Sequence, residues 1–232
     1  MDAITTFSKK GYEEYARRLL KSVRHWPGKL IAYVEEPCGF KHEKIEYRNF
    51  WDIVLPGDVK VADFIEHASR MGLNGGDPYN YNQDVVKFCR KVFVQYDALK
   101  DMNDMAFWLD ADVEITKKIT EGWLKSLFNG HPLCYLGRDG FYSECSFVGF
   151  DMGRKVTKKF LANYVSQFTT GQVLNLKWWH DCAAFDFARG ELGINGNNLS
   201  PFYQQGKGLH VFPDSVLGRY MRHDKGQRKY KH

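Results

Sequence analysis

The sequence FWLDADV at residues 107–113 joins an apolar run, which begins at Met105, to two carboxylates. A short apolar run of this kind predicts a buried central strand of a sheet. Ligands of open α/β sheets bind beyond the carboxyl ends of the strands, which is where Asp110 and Asp112 would lie. Two carboxylates there are costly unless a cation or a hydrogen-bond donor satisfies them. The pattern therefore predicts a site for Mg²⁺ or Mn²⁺, which prefer oxygen ligands and share them with substrate phosphates. A capped turn is the alternative.

Strand and helix patterns alternate on both sides of this run. Further strands are predicted at residues 3–7, 29–34, 44–51, 132–136 and 145–150, and helices at residues 12–26, 58–71, 82–99, 120–128, 155–167, 180–189 and 213–221. The order strand, helix, strand at residues 3–34 is a βαβ unit, which implies parallel pairing through a right-handed crossover. We therefore expect a single α/β domain over residues 1–232, with a parallel-rich mixed central sheet flanked by helices.

The composition sets broad limits on function. The 232 residues are 44% hydrophobic and carry a net charge of +5. These values suit one folded domain with an anionic partner, such as a nucleotide diphosphate, a nucleic acid or an acidic membrane surface. The five cysteines include no Cys-x-x-Cys pair, which argues against a zinc ribbon. The N-terminus lacks a signal peptide's apolar core and no run of about 18 apolar residues occurs, so a cytoplasmic protein is expected.

A second group of candidate residues lies near the end of the sequence, from His223 to Lys229. A neutral imidazole is a suitable third ligand for Mn²⁺ beside two carboxylates. Gly226 allows backbone N–H groups to approach a phosphate closely. Lys225 or Lys229 would neutralise a diphosphate as it leaves. The alternative is a basic tail with no binding role.

Taken together, a strand ending in Leu-Asp-Ala-Asp-Val and a downstream His-x-x-Gly-x-x-Lys resemble the glycogenin-like, retaining family of nucleotide-sugar transferases. The resemblance implies a GT-A fold with a Rossmann-like first half. It implies that Asp110, Asp112 and His223 bind Mn²⁺, and that Gly226 and Lys229 contact the diphosphate of a nucleotide-sugar donor, with UDP as the expected nucleotide. Residues 1–112 would then form the nucleotide-sugar-binding half, and residues 113–232 the acceptor side and the tail.

The same resemblance extends to other donor contacts. Phe7 and Ser8 stand at the end of the first strand, in the position of the family's nucleotide-binding loop. The family also has a basic residue on the helix that precedes the Asp pair, and it contacts the donor phosphate or sugar. Lys91 is the candidate for this role, with Lys87 and Arg90 as alternates. A solvated helix face is the alternative for each of the three.

Three carboxylates are candidates for the chemical step. If the reaction inverts the anomeric centre, a carboxylate must take the proton of the acceptor, and Glu144, Asp181 or Asp139 would do so. In the family, an Asp near a helix start contacts the donor sugar, and Asp181 is the matching residue. A charged hairpin loop is the alternative for Glu144 and Asp139, and a favourable helix dipole is the alternative for Asp181.

The leading hypothesis is a metal-dependent glycosyltransferase with a nucleotide-sugar donor. Its acceptor is unidentified and could be a glycan, a glycolipid, a protein or a modified nucleic-acid base. The second hypothesis is a nucleotidyltransferase in which Asp110 and Asp112 hold two metal ions. The third is a non-catalytic sugar- or nucleic-acid-binding module that uses Lys177, Trp178 and Trp179.

Overall fold

Eleven strands are found in the computed structural model, which describes residues 1–203 and 210–224. They are β1 (Asp2–Phe7), β2 (Leu30–Val34), β3 (Ile45–Asn49), β4 (Val54–Leu55), β5 (Val59–Lys60), β6 (Met105–Leu109), β7 (Val113–Ile115), β8 (Leu133–Arg138), β9 (Phe141–Asp151), β10 (Asn197–Asn198) and β11 (Met221–His223). Seven of them form the central sheet, in the order β10-β8-β9-β6-β1-β2-β3. The strands β4 and β5 pair with each other, as do β7 and β11.

The helices connect these strands. They are α1 (Lys9–Gly11), α2 (Arg17–Ser22), α3 (Val61–Arg70), α4 (Val85–Leu99), α5 (Glu121–Ser126), α6 (Lys155–Thr169) and α7 (Asp181–Glu191). Short 3₁₀ turns occur at Val23–His25, Phe50–Asp52, Tyr81–Gln83, Gln172–Asn175 and Val216–Arg219. Within the described part of the chain, none of the helices combines the length and the apolarity needed to cross a bilayer.

The strand β6 occupies the middle of the sheet, as predicted. It runs parallel to β1, with Phe107 opposite Ala3, and antiparallel to β9, with Trp108 opposite Val148. The strands β3, β2, β1 and β6 are mutually parallel, so their carboxyl ends meet at one edge. The expected parallel-rich mixed sheet flanked by helices is therefore confirmed.

Both faces of the sheet are buried, which explains why β6 is continuously apolar. Ile4 and Trp108 belong to a core that includes residues of α3, α4, α6 and α7. Ala3 and Phe107 point to the opposite face, into a core that includes residues of α2 and α5. Because successive side chains of a strand alternate between faces, a strand buried on both sides is predominantly apolar.

The first helical segment contains a π-helical turn. Ser8 accepts a hydrogen bond from the Gly11 N–H at 3.2 Å and caps α1. The π turn, Tyr12–Ala16, then connects α1 to α2. The Tyr15 ring lies against Gly11, where an added Cβ would come within 2.5 Å of the tyrosine hydroxyl. The helix predicted at residues 12–26 is therefore present, but its turns are not uniform.

A two-stranded antiparallel ribbon brings the end of the described chain back to the sheet. Val113 of β7 faces His223 of β11. The Ile115 N–H donates to Ser22 Oγ at 3.0 Å, which anchors β7 on α2. The residue after β11, Asp224, is buried, and its carboxylate accepts a hydrogen bond from Arg18 Nη1 of α2 at 2.9 Å. The ribbon is thus tied to the body of the domain at two points.

The helix predicted at residues 213–221 is wrong. A 3₁₀ turn at Val216–Arg219 is followed directly by β11, which begins at Met221. Ser215 Oγ accepts from the Leu217 N–H at 3.2 Å and fixes this turn. Pairing with β7 provides hydrogen-bond partners for backbone N–H and C=O groups that would otherwise be paired within a helix. Tertiary contacts therefore override the local sequence pattern.

The connection before β9 is also shorter than the sequence suggested. The strand β9 begins at Phe141, well before the predicted start at residue 145. Only Asp139 and Gly140 lie between β8 and β9, and Gly140 has a φ of +72°, a conformation that glycine adopts without strain. Glu144 is therefore a strand residue in the central sheet and not part of a loop.

Candidate functional site

A cleft of about 580 Å³ opens at the edge where the parallel strands end. Its walls include nine of the residues predicted to bind or react: Phe7, Ser8, Lys87, Arg90, Lys91, Asp110, Asp112, Glu144 and Asp181. Tyr15 of the π turn also lines it. Residues from both halves of the chain thus meet in one cavity, whose size is typical of small-molecule sites.

Asp110, Asp112 and His223 converge at the end of β6. Their potential ligand atoms all lie within 4.8 Å of one another. Asp110 follows the last residue of β6 directly, and its carbonyl accepts from the Val113 N–H at 3.0 Å. The resulting turn leads into β7, whose pairing with β11 sets His223 Nε2 3.0 Å from Asp112 Oδ1. The three residues predicted as metal ligands therefore form one cluster.

Burial and charge act in opposite directions on His223. Burial by itself would lower the pKa of its imidazole, because it disfavours the charged form. Hydrogen bonds to Asp112 and Glu144 outweigh this effect, so the pKa of His223 is raised. Both ring nitrogens face a carboxylate, with Nδ1 3.1 Å from Glu144 Oε1. The imidazole is thus held between two anionic groups.

Lys91 of α4 links the two walls of the cleft. Its ammonium contacts Asp110 Oδ1 at 2.8 Å, Asp181 Oδ2 at 2.9 Å and the Cys145 carbonyl oxygen at 2.5 Å. Burial alone would lower the pKa of Lys91, but the carboxylates of Asp110 and Asp181 raise it well above its usual value. Lys91 therefore remains charged, and its three N–H donors each have an acceptor.

Asp110 receives a second donor that the sequence analysis missed. Trp108 Nε1 donates to Asp110 Oδ1 at 2.7 Å, on the same oxygen that Lys91 contacts. Residues two apart on a strand point to the same face, so this pairing could have been anticipated from the sequence. Because both donors use Oδ1, they orient Asp110 without occupying Oδ2.

Asp181 opens α7, and His180 caps that helix. His180 Nδ1 accepts from the Ala183 N–H at 3.1 Å. Burial lowers the pKa of His180, which favours the neutral ring that this cap requires. Burial alone would raise the pKa of the Asp181 carboxyl, but the Lys91 ammonium outweighs it and lowers that pKa. Asp181 is therefore an ionised carboxylate facing the cleft at neutral pH.

Glu144 is almost fully buried, with 2% of its surface exposed. Its Oε1 accepts from Ser146 Oγ at 2.9 Å and lies 3.1 Å from His223 Nδ1. Its Oε2 accepts from the Val211 N–H at 3.3 Å. Ser146 lies two residues along the same strand, whereas Val211 and His223 approach from distant segments that sequence reasoning could not place beside Glu144.

Two of the predicted residues in the described part of the chain are exposed, and of these only Lys87 also lines the cleft. Asp139 is exposed in the β8–β9 turn and is not among the described residues that line the cavity. Lys87 is exposed, with its ammonium 4.4 Å from the centre of the Tyr81 ring. Lys225, Gly226 and Lys229 lie outside the described residues.

Comparison with solved structures identifies the fold class. The chain is similar to the WbbM bifunctional glycosyltransferase, with a TM-score of 0.53 and 8% identity over 98% of this chain. It spans 46% of the length of that protein. It is also similar to mouse xyloside xylosyltransferase 1, with a TM-score of 0.50 and 12% identity over 82% of each chain. These similarities define a GT-A-like glycosyltransferase fold.

Sequence comparison adds no closer relative. No protein-family model matches the chain. No curated protein sequence matches it either. At identities of 8% and 12%, the likeness to solved structures concerns the fold alone, and the activity must be argued from the site.

Proposed function

We propose that this protein is a metal-dependent glycosyltransferase that transfers a sugar from a nucleoside-diphosphate donor, with UDP as the nucleotide. The observation that carries the proposal is the cluster of Asp110, Asp112 and His223 at the end of the central strand. In a GT-A-like sheet this edge is where a ligand is expected. Glycosyl transfer gives each member of the cluster a role.

The donor atoms of the cluster fit a divalent cation. Two carboxylates and one imidazole suit Mn²⁺, and the carboxylates also suit Mg²⁺. In this structure the Nε2 atom of His223 is 3.0 Å from Asp112. A proton between these two atoms supplies positive charge at this position. A bound cation would displace the proton and supply the positive charge instead. When bound, such a cation would act as a Lewis acid that stabilises the departing diphosphate.

The donor would lie along the cleft between β1 and α7. Phe7 and Ser8 form the wall at the end of β1 and would contact the nucleoside. Asp110 Oδ1 is already held by Lys91 and Trp108, which leaves Oδ2 for the cation or the ribose. The tail residues Lys225, Gly226 and Lys229 are proposed to contact the diphosphate, on the basis of the family resemblance.

Asp181 is proposed to act electrostatically. Its lowered pKa makes it a weak base, and an efficient general base has a pKa near the working pH. An ionised carboxylate in the cleft would stabilise positive charge that develops on the donor sugar. This role agrees with the retaining chemistry that the His-x-x-Gly-x-x-Lys resemblance implies, in which no acceptor base is required from Asp139 or Glu144.

The position of Lys91 argues against the nucleotidyltransferase alternative. Two-metal phosphoryl chemistry needs carboxylates that hold two cations about 4 Å apart. Here the lysine ammonium already bridges Asp110 and Asp181, at 2.8 Å and 2.9 Å. One divalent cation beside a fixed ammonium suits the departure of a diphosphate better than a two-metal centre does.

The test is donor turnover across a panel of nucleotide sugars, with Mn²⁺, with Mg²⁺ and with a chelator. Wild type is expected to hydrolyse at least one donor slowly in the presence of a cation, and Asp112→Asn is expected to lose this activity. A wild-type protein that neither binds nor hydrolyses any donor in the panel would overturn the proposal. Acceptors can then be screened among glycans, glycolipids, proteins and DNA, with salt dependence marking a nucleic-acid acceptor.

A further inference from the structure

Glu144 stands behind His223 on the side away from Asp112. One edge of the imidazole, Nε2, is 3.0 Å from Asp112, and the other edge, Nδ1, is 3.1 Å from Glu144. The His223 side chain is 1% exposed and the Glu144 side chain 2% exposed. A carboxylate and a histidine are therefore paired inside the protein, next to the proposed metal site.

The pairing determines which nitrogen of the ring is available to a cation. A neutral imidazole carries one N–H, and the hydrogen bond made by one nitrogen decides whether the other can bind a metal. A Glu144 carboxylate can only accept, so it retains the proton on Nδ1. In the neutral ring that would bind a cation, the lone pair then lies on Nε2, the atom that faces Asp112.

We propose that Glu144 is a positioning residue, which fixes the tautomer and the ring orientation of His223 for cation binding. This inference rests on the proposed function, since it assumes that the cluster binds a cation. Carboxylates that hold metal-binding histidines in this way are common, and their loss weakens metal binding by about 10- to 100-fold.

The other contacts of Glu144 support positioning over proton transfer. Ser146 Oγ donates to the oxygen that faces His223, and the Val211 N–H donates to the second oxygen. His210, from the same segment as Val211, contacts the His223 carbonyl oxygen through Nε2 at 3.0 Å. Both carboxylate oxygens are thus engaged by the protein, in an arrangement that holds the His223 ring and its backbone together.

The experiment measures Mn²⁺ affinity directly, by electron paramagnetic resonance of the free ion, in wild type and Glu144→Gln. The amide keeps the shape of Glu144, but its NH₂ group opposes either the Val211 N–H or His223 Nδ1. We expect Mn²⁺ binding to weaken by about 10- to 100-fold. The control is Asp97→Asn, which removes a distant carboxylate that accepts from the Tyr33 hydroxyl at 2.7 Å, and which should leave Mn²⁺ affinity unchanged.

Separate measurements of kcat and of metal affinity distinguish a positioning role of Glu144 from a role as general base. If it positions His223, Glu144→Gln should regain most of the wild-type kcat at saturating Mn²⁺. If it is a general base, kcat should stay low however much Mn²⁺ is added. Unchanged Mn²⁺ affinity in Glu144→Gln, with normal binding in wild type, would overturn the inference alone. Absence of Mn²⁺ binding in wild type would instead count against the proposed function.

A measurement on the wild-type protein covers the case in which Glu144→Gln does not fold. Nitrogen-15 NMR of the protein loaded with Mg²⁺ reports which nitrogen of His223 carries the proton. We expect a protonated Nδ1 and an unprotonated Nε2. The opposite tautomer would show that Glu144 does not hold the ring in the state that cation binding needs.

Discussion

Val113 and His223 face each other across the antiparallel ribbon of β7 and β11, although they are far apart in the sequence. Asp112 immediately precedes β7, so this register carries the imidazole to the carboxylate. The position of His223 is thus set by backbone pairing with β7. The anchor of Asp224 on Arg18, at 2.9 Å, holds the end of the ribbon on α2.

The first prediction concerns this pair. His223→Ala and Asp112→Asn should each weaken Mn²⁺ binding by at least about tenfold, because each removes a proposed ligand of the cation. The double variant should be little worse than either single variant, since residues that act as one site are not additive. Isothermal titration with Mn²⁺ measures both effects. Glu114→Gln is the control, because Glu114 lies in β7 opposite Arg222 and its carboxylate pairs with Arg222 at the surface, away from Asp224.

The second prediction concerns the ammonium shared by Asp110 and Asp181. Lys91→Met would leave two carboxylates without their counter-charge, and Asp181 is buried. Removing one partner of a buried ion pair costs about 3–5 kcal/mol, and the lower end applies here because Asp110 is partly exposed. Urea unfolding measures the loss. Adding Asp181→Asn should recover part of it, whereas a loss that the second change makes larger would contradict this account.

The third prediction is a pH dependence that arises from His180. Its pKa is lowered in the folded protein, whereas in the unfolded chain it lies near 6.5. The unfolded chain therefore binds more protons just below pH 6.5, and the folded state loses stability as the pH falls from there through the lowered pKa.

A variant can isolate this contribution. His180→Asn keeps a side-chain acceptor for the Ala183 N–H but does not titrate. The melting temperature of wild type should fall more steeply between pH 7.5 and pH 5.5 than that of His180→Asn. Parallel pH profiles for the two proteins would show that His180 does not contribute. Circular dichroism at a single protein concentration is sufficient for the comparison.

The fourth prediction concerns the tail. Lys225 and Lys229 are predicted to neutralise the donor diphosphate, so Lys225→Gln with Lys229→Gln should weaken UDP binding in the presence of Mn²⁺. The affinity for Mn²⁺ alone should not change, because neither lysine is a proposed ligand. Fluorescence titration with UDP provides the measurement. Equal UDP affinity in wild type and the double variant would assign the tail no part in donor binding.

The central fold could be read from the sequence because its elements have a clear local pattern. The β1–helix–β2 unit is long enough to show the periodic spacing of its apolar residues. The apolar run of β6 is continuous, which indicates burial on both faces. The ribbon of β7 and β11 could not be found in this way, because strands of three residues show no period. The prediction of a helix at residues 213–221 was wrong for a related reason. The last residue of that range, Met221, begins β11, and its conformation is set by pairing with β7.

The candidate site divides along similar lines. The apolar strand before Asp110 and Asp112 predicted that they lie at a metal site. The family resemblance predicted that His223 binds the same ion. The contacts of Glu144 depend on Val211 and His223, which approach from another part of the chain. No pattern within residues 141–151 could indicate them. Asp181 was anticipated at a helix start, but its link to Lys91 requires α4 and α7 to be neighbours.

The position of Tyr15 in the cleft wall depends on the number of residues in the first helical segment, because that segment contains the π turn at Tyr12–Ala16. A π turn accommodates about one residue more than an α-helical turn between the same end points. Deleting the exposed Glu13 would allow a regular helix to form between the same end points, so the residues beyond the turn would keep their places and those within it would shift. Tyr15 would then leave the cleft wall and its place against Gly11. The shape of the cavity beside Ser8 therefore depends on an insertion of a single residue, which related proteins could gain or lose in one step.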